Sequence, residues 1–212
     1  MQNLTTKGFT LIELIVVVAL IGLISAAGIP NFIEWSSDRK VRKANDQIAG
    51  IITRLNTQTQ RGVYPFTQIL ITPSPQNNSI FVRTSGRSKR SINNGLMANP
   101  QVLLTCDRIS ANYWDQTIDS FTINNIFVHF DNASAVCFSK NADNYMVTDD
   151  IADNSNSPLQ NDQGFSVINY IIFCSSNNDC DTTPEMPAYM VVWSRFGNIT
   201  KFKYNSAEWV IQ

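Results

Sequence analysis

The chain has 212 residues, 43% of them hydrophobic and 16% charged, with 16 basic against 17 acidic side chains and a formal net charge of −1. That length holds one membrane helix and one globular domain of about 150 residues with its own core, and leaves no room for a second full domain. The charge balance excludes a bulk field that draws nucleic acid or anionic lipid, so any such partner needs a local patch.

The first element is apolar. Phe9 to Ile29 carries one charge, Glu13, and at about 1.5 Å rise per residue a helix of that length extends roughly 30 Å, one bilayer core. An unpaired carboxylate at membrane depth costs about 2.5 kcal/mol or more, so Glu13 asks for a partner. Three readings of the segment give three mature proteins. A plain anchor keeps Met1, and a Sec signal uses Ser25-Ala26-Ala27 as its cleavage site and leaves a secreted β domain. Neither accounts for Gly8 or Glu13, and the residues before Phe9 carry a single basic side chain, Lys7.

Lys7-Gly8-Phe9-Thr10-Leu11-Ile12-Glu13-Leu14 closely resembles the type IV prepilin processing site. The resemblance implies cleavage after Gly8 by a prepilin peptidase in the inner membrane and N-methylation of the new amine of Phe9. It also implies that Glu13 pairs with the amine of an adjacent subunit during assembly. Elementary electrostatics agrees: Phe9 and Glu13 are four residues apart, on one helix face, and a cationic amine at the positive end of a helix dipole is relieved by a carboxylate. Gly22, Gly28 and Pro30 weaken the same helix, and a proline there is expected to kink or open it at about 3 kcal/mol.

Beyond Pro30 the pattern becomes amphipathic. Val41, Ala44, Ile48, Ile51 or Ile52 and Leu55 recur every three or four residues, while Asp38, Arg39, Lys40, Arg42, Lys43, Asp46 and Arg54 fill the other faces. Arg61-Gly62 marks a stop, so one helix is expected from Phe9 to near Gln60. Its apolar stripe needs a cover, which the rest of the chain must supply as a sheet.

That remainder reads as strands and loops. Phe66–Thr72 and Ser79–Thr84 are expected strands, followed by a polar stretch to Asn99, with Val102–Cys106 a strand or connector. Phe121–Phe130 and Ala135–Ser139 are expected to form a hairpin about Asp131-Asn132. Lys140 to Gly164 reads as a long surface loop. Phe165–Cys174, Tyr189–Ser194, Ile199–Tyr204 and Trp209–Ile211 then form an antiparallel meander.

Helix followed by β-rich domain resembles the whole type IV pilin plan, an α+β fold, and the ending is most similar to minor pilins and the H-type pseudopilins of type II secretion. The expected organisation is a leader peptide at 1–8, a transmembrane and assembly helix at 9–30, its amphipathic continuation at 31–62, and a globular antiparallel β domain at 63–212. The partners the resemblance implies are the peptidase, a major pilin or pseudopilin, other minor subunits and the inner membrane.

Cys106, Cys137, Cys174 and Cys180 all follow the apolar segment, and an even number in an exported domain favours disulfides. Three pairings are open; Cys174 with Cys180, closing a small loop, and Cys106 with Cys137 are favoured. One histidine and no C-x-x-C spacing argue against zinc. Asp143, Asp149, Asp150, Asp153 and Asp162 offer oxygen ligands for calcium, which some pseudopilins bind, but their spacing fits no EF-hand frame, and a solvated acidic loop is the better reading. No catalytic set is present: His129 reads as a structural strand residue, and there is no serine elbow, phosphate-cradling loop or HExxH. Arg83, Arg87, Lys89 and Arg90 are expected on one basic loop. This is loosely similar to a basic motif in some DNA-uptake pilins, and would support only weak, salt-sensitive DNA contact.

Overall fold

The computed structural model describes residues 9–98, 113–140, 146–147, 169–176, 180–181 and 183–212. The chain divides into two compact units, Met1–Ser37 and Asp38–Gln212, and helix α1 (Leu11–Gln60) contributes residues to both.

In the first unit every side chain from Phe9 to Ser25 is exposed, with Leu11 at 76% and Leu23 at 71%. Among the described residues no helix is long and apolar enough to cross a membrane. The described side chains of the apolar stretch stop at Ser25, short of the roughly 20 residues a span needs. α1 runs without interruption through position 30. A proline deletes one backbone bond, and the turns before and after it carry the helix across.

The second unit is built on the other half of α1. Val41, Ala44, Ile48, Ile52 and Leu55 are buried to 1% exposure or less, the stripe that the spacing in the sequence predicts. The helix ends where Arg61-Gly62 stands. Gly62 adopts φ +70°, its N–H reaches the Thr59 carbonyl at 2.9 Å, and the Val63 N–H reaches Gln58 at 3.0 Å. This is a Schellman stop, which needs the left-handed conformation that glycine adopts freely.

Among the described residues ten strands form two antiparallel sheets. In the first, β1 (Phe66–Ser74) lies between β2 (Ser79–Arg87) and β5 (Ser134–Ser139), with β3 (Gln116–Asn124) outside β2 and β6 (Met146–Val147) outside β5. In the second, β7 (Tyr170–Cys174), β8 (Ala188–Trp193), β9 (Ile199–Tyr204) and β10 (Trp209–Ile211) form the expected meander, and β4 (Phe127–Val128) joins the free side of β7.

Strand alternation explains how both sheets share one core with α1. Ile69, Ile71, Ile171, Phe173, Tyr189 and Val191 meet Ile48, Ile52 and Leu55 of the helix. The intervening residues point the other way and are covered as well. Phe66 and Cys137 pack with Ile92 and Trp114, and Tyr170, Ile172 and Met190 pack with Tyr204 and the Cys174–Cys180 region. Burial on both faces is why these strands read as continuous apolar runs.

Three expectations are corrected. Phe121–Phe130 and Ala135–Ser139 are not a hairpin: β3 pairs with β2, β4 with β7, and β5 with β1 and β6. Asp131-Asn132 is a turn between sheets rather than within one. The polar stretch before Asn99 contains a helix, α2 (Lys89–Ala98), capped by Ser88, whose Oγ accepts the Ser91 N–H at 3.1 Å. The basic residues are therefore not on one loop. Arg83 and Arg87 belong to β2, and Lys89 and Arg90 open α2.

Candidate functional site

The start of α1 holds the residues that the motif singles out. Thr10 precedes the first helical residue, and its carbonyl accepts the Leu14 N–H at 3.2 Å. Thr10 Oγ1 accepts the Glu13 N–H at 3.3 Å, and Glu13 Oε2 accepts the Thr10 N–H at 3.3 Å and its hydroxyl at 3.4 Å. This reciprocal arrangement is a capping box, which satisfies two orphan donors of the helix start. It holds the Glu13 carboxylate at the positive end of the helix dipole, on the backbone N–H of Thr10, the residue next to Phe9, which is 86% exposed. Gly8 lies outside the described residues. The role of Thr10 was missed in the sequence, although the signal, Thr-x-x-Glu before an apolar run, stands in Thr10-Leu11-Ile12-Glu13.

The surface that α1 offers from Leu11 to Ile24 is apolar apart from Glu13. Phe32 and Trp35, three residues apart on one helix face, extend it with rings 5.8 Å apart, and both are more than half exposed. A contiguous exposed apolar helix marks an interaction surface.

In the second unit, polar contacts fasten α1 to the sheets. Tyr189 Oη donates to Asp38 Oδ1 at 2.8 Å, and Lys203 Nζ reaches the same oxygen at 2.8 Å. Burial pushes the Asp38 carboxyl up, but the hydrogen bonds from Lys203 and Tyr189 outweigh it and hold the group below its usual value. Lys203 is raised in turn, chiefly by its bond to Asp38. Lys201 pairs with Asp46 at 2.7 Å and Arg54 with Asp119 at 3.4 Å; both pairs are solvent-exposed and weak. Asn56 Nδ2 donates to the Phe196 carbonyl at 2.6 Å, pinning the β8–β9 turn to the helix. Gly197 in that turn has φ +81°, and a Cβ there would collide with Asn56. No local pattern in the sequence announces these contacts, whose partners lie 65 to 165 residues apart.

The other candidates are placed as follows. Cys174 and Cys180 form a disulfide with Cα atoms 5.8 Å apart. Cys137 is also disulfide-bonded, and Cys106 lies outside the described residues, as do the five aspartates considered for calcium. Among the described residues no group of side chains is arranged to hold a metal. His129 Nδ1 accepts the Ile172 N–H at 3.2 Å, and its ring stacks on Tyr170 at 4.9 Å, a structural setting. Arg87 is 8% exposed, which removes it from any open basic surface.

The family described as Prokaryotic N-terminal methylation motif matches residues 5–29. The chain is 43% identical over 51 residues to the type IV major pilin protein PilA of Myxococcus xanthus, covering 24% of this chain and 23% of that protein. It is 38% identical over 56 residues to a fimbrial protein of Moraxella nonliquefaciens, covering 26% and 36%. A fimbrial protein of Pseudomonas aeruginosa is 36% identical over the same shares. The chain thus spans about a quarter to a third of the length of these curated relatives. No solved structure matches. A methylation motif at the head of a long helix is thus what the chain has in common with type IV pilins, and here that helix packs on antiparallel sheets.

Proposed function

We propose that this protein is a minor pilin or pseudopilin, a structural subunit cut after Gly8, methylated on Phe9 and built into a type IV pilus or type II secretion pseudopilus at or near its tip. The observation that carries this reading is the exposed apolar helix headed by the Thr10–Glu13 capping box. Its apolar side chains from Leu11 to Ile24 face solvent and call for a cover: first the inner membrane, as a single pass, and then the helices of neighbouring subunits.

In this reading the capping box gives Glu13 two successive partners. In the free subunit its carboxylate is satisfied by Thr10; in the filament it turns to the N-methylated amine of the neighbour. A buried carboxylate and amine, each costly alone, tolerate one another in one register only, so the pair sets the stagger between subunits. The second unit contributes surface rather than catalysis. The similarity to a major pilin covers 24% of this chain, and the low-copy, tip assignment rests on the β meander of the second unit.

The test is intact mass and N-terminal sequencing of the protein taken from its native host membrane, with counting of copies per filament. A chain beginning at methylated Phe9 and present in few copies is expected. A start at Met1 or Gly28 overturns the processing, and a copy number equal to that of the main subunit overturns the minor role.

A further inference from the structure

Although the net charge of the chain is −1, α1 carries a local excess of cations. Arg39, Lys40, Arg42 and Lys43 stand between Asp38 and Asp46, and all four are exposed. Val41 and Ala44, at the same level of the helix, are buried, so the helical period turns the four charges to the outer side. Residues three and four apart are neighbours there, and like charges at those spacings repel. The two carboxylates of the stretch are directed to the sheet instead: Asp38 is paired with Lys203 at 2.8 Å and Asp46 with Lys201 at 2.7 Å. Each is matched by a lysine of β9, so the excess of the outer cations stands and calls for an external anion.

We propose that Arg39, Lys40, Arg42 and Lys43 form a binding surface for the headgroups of anionic phospholipid. The inference rests on the membrane stage proposed above and adds which lipid the chain selects. In the sequence the cations follow the apolar segment, whose last aromatic side chain, Trp35, is more than half exposed and of a kind that settles at headgroup level. From Arg39 to Lys43 the helix rises about 6 Å, the depth of one headgroup layer, about 5–8 Å. Basic residues beside an apolar helix hold anionic headgroups by their phosphates, lysine as a point charge and arginine through a two-nitrogen fork. The acidic face of a neighbouring protein would satisfy the same charges, but it would not account for their place at the end of the apolar segment.

The experiment reconstitutes the full chain into phosphatidylcholine vesicles, verifies insertion by flotation, and uses Trp35 as the reporter. Quenching by a small share of brominated phosphatidylglycerol is compared with quenching by brominated phosphatidylcholine, with a Trp35→Phe chain supplying the background. Phosphatidylglycerol is expected to associate about fivefold more strongly, and the preference should vanish in about 1 M sodium chloride, where charges are screened beyond about 3 Å. A chain with Arg39→Gln, Lys40→Gln, Arg42→Gln and Lys43→Gln, all at exposed positions, should insert equally and show no preference. Lys89→Gln with Arg90→Gln, which removes charge from α2, should keep it. Flotation with no vesicle overturns the membrane stage itself. Insertion with equal quenching by both lipids, or a preference that survives the four substitutions, overturns this inference alone; equal quenching with impaired filament incorporation of the four-substitution chain assigns the patch to an acidic neighbour instead.

Discussion

Tyr189 donates its hydroxyl hydrogen to the Asp38 carboxylate at 2.8 Å, joining strand β8 to helix α1 across 151 residues of sequence. The same oxygen receives Lys203 from β9, so one carboxylate ties two neighbouring strands to the helix. A hydrogen bond to a charged group is worth about 1.5–3 kcal/mol when well shielded, and the partial exposure of Asp38 and Lys203 brings this toward the low end.

Asp38→Asn is therefore expected to lower stability at neutral pH by about 1–2 kcal/mol, and Tyr189→Phe by about 1 kcal/mol, with less than additive loss in the double variant. The pH dependence follows from the shifts. The Asp38 carboxyl is lowered on folding, so its contribution is complete above the unfolded value, near pH 4, and is lost as pH falls through the lower folded value. Lys203 is raised, so its share is complete below about pH 10 and lost as pH rises through its folded value. Urea midpoints measured from pH 2 to 7 should fall more steeply in the native chain than in Asp38→Asn.

Replacement of Glu13 separates assembly from folding. In the proposed role, Glu13→Ala should leave the Asp38–Gln212 unit folded and cleavage after Gly8 intact while reducing filament incorporation roughly tenfold or more, since the neighbour's amine would then be left unpaired. Thr10→Ala, which deletes only the cap, should cost about 0.5–1 kcal/mol of helix start and a smaller share of incorporation. Immunodetection of the subunit in sheared filaments, with intact mass of the membrane pool, reads both effects; normal incorporation of Glu13→Ala removes the assigned role.

The two halves of α1 should respond oppositely to truncation. Leu55 is fully buried and Ile12 is 66% exposed. Leu55→Ala should cost about 3 kcal/mol in chemical denaturation of the β unit. Ile12→Ala should leave the same transition unchanged, because no contact within that unit is removed.

The β8–β9 turn depends on a residue without a side chain. Gly197→Ala forces a Cβ onto the Asn56 side chain at φ +81°, and a loss of about 2 kcal/mol is expected. Asn56→Ala in the same background should recover part of that loss, since the colliding group is gone. Thermal unfolding of the three variants checks it.

Two properties of this protein were decided locally and could be read from neighbouring residues. The motif around Gly8, Phe9 and Glu13 is a contiguous string, and the stripe from Val41 to Leu55 with the stop at Gly62 depends only on helical periodicity and on the backbone freedom of glycine. The meander of β7 to β10 was legible for a similar reason, since short turns leave sequential strands no neighbours but each other. Where the pairing is long-range, periodicity runs out. Alternation in Phe121–Phe130 says that a strand exists, not that β3 joins β2 while β4 crosses to β7. Nor could composition show that Arg87 is folded inward against Tyr113 rather than offered on a loop, or that Asp38, Tyr189 and Lys203 meet. Those outcomes depend on which surfaces are buried once α1 and both sheets share a core, and burial is a property of the assembled tertiary structure rather than of any window of sequence.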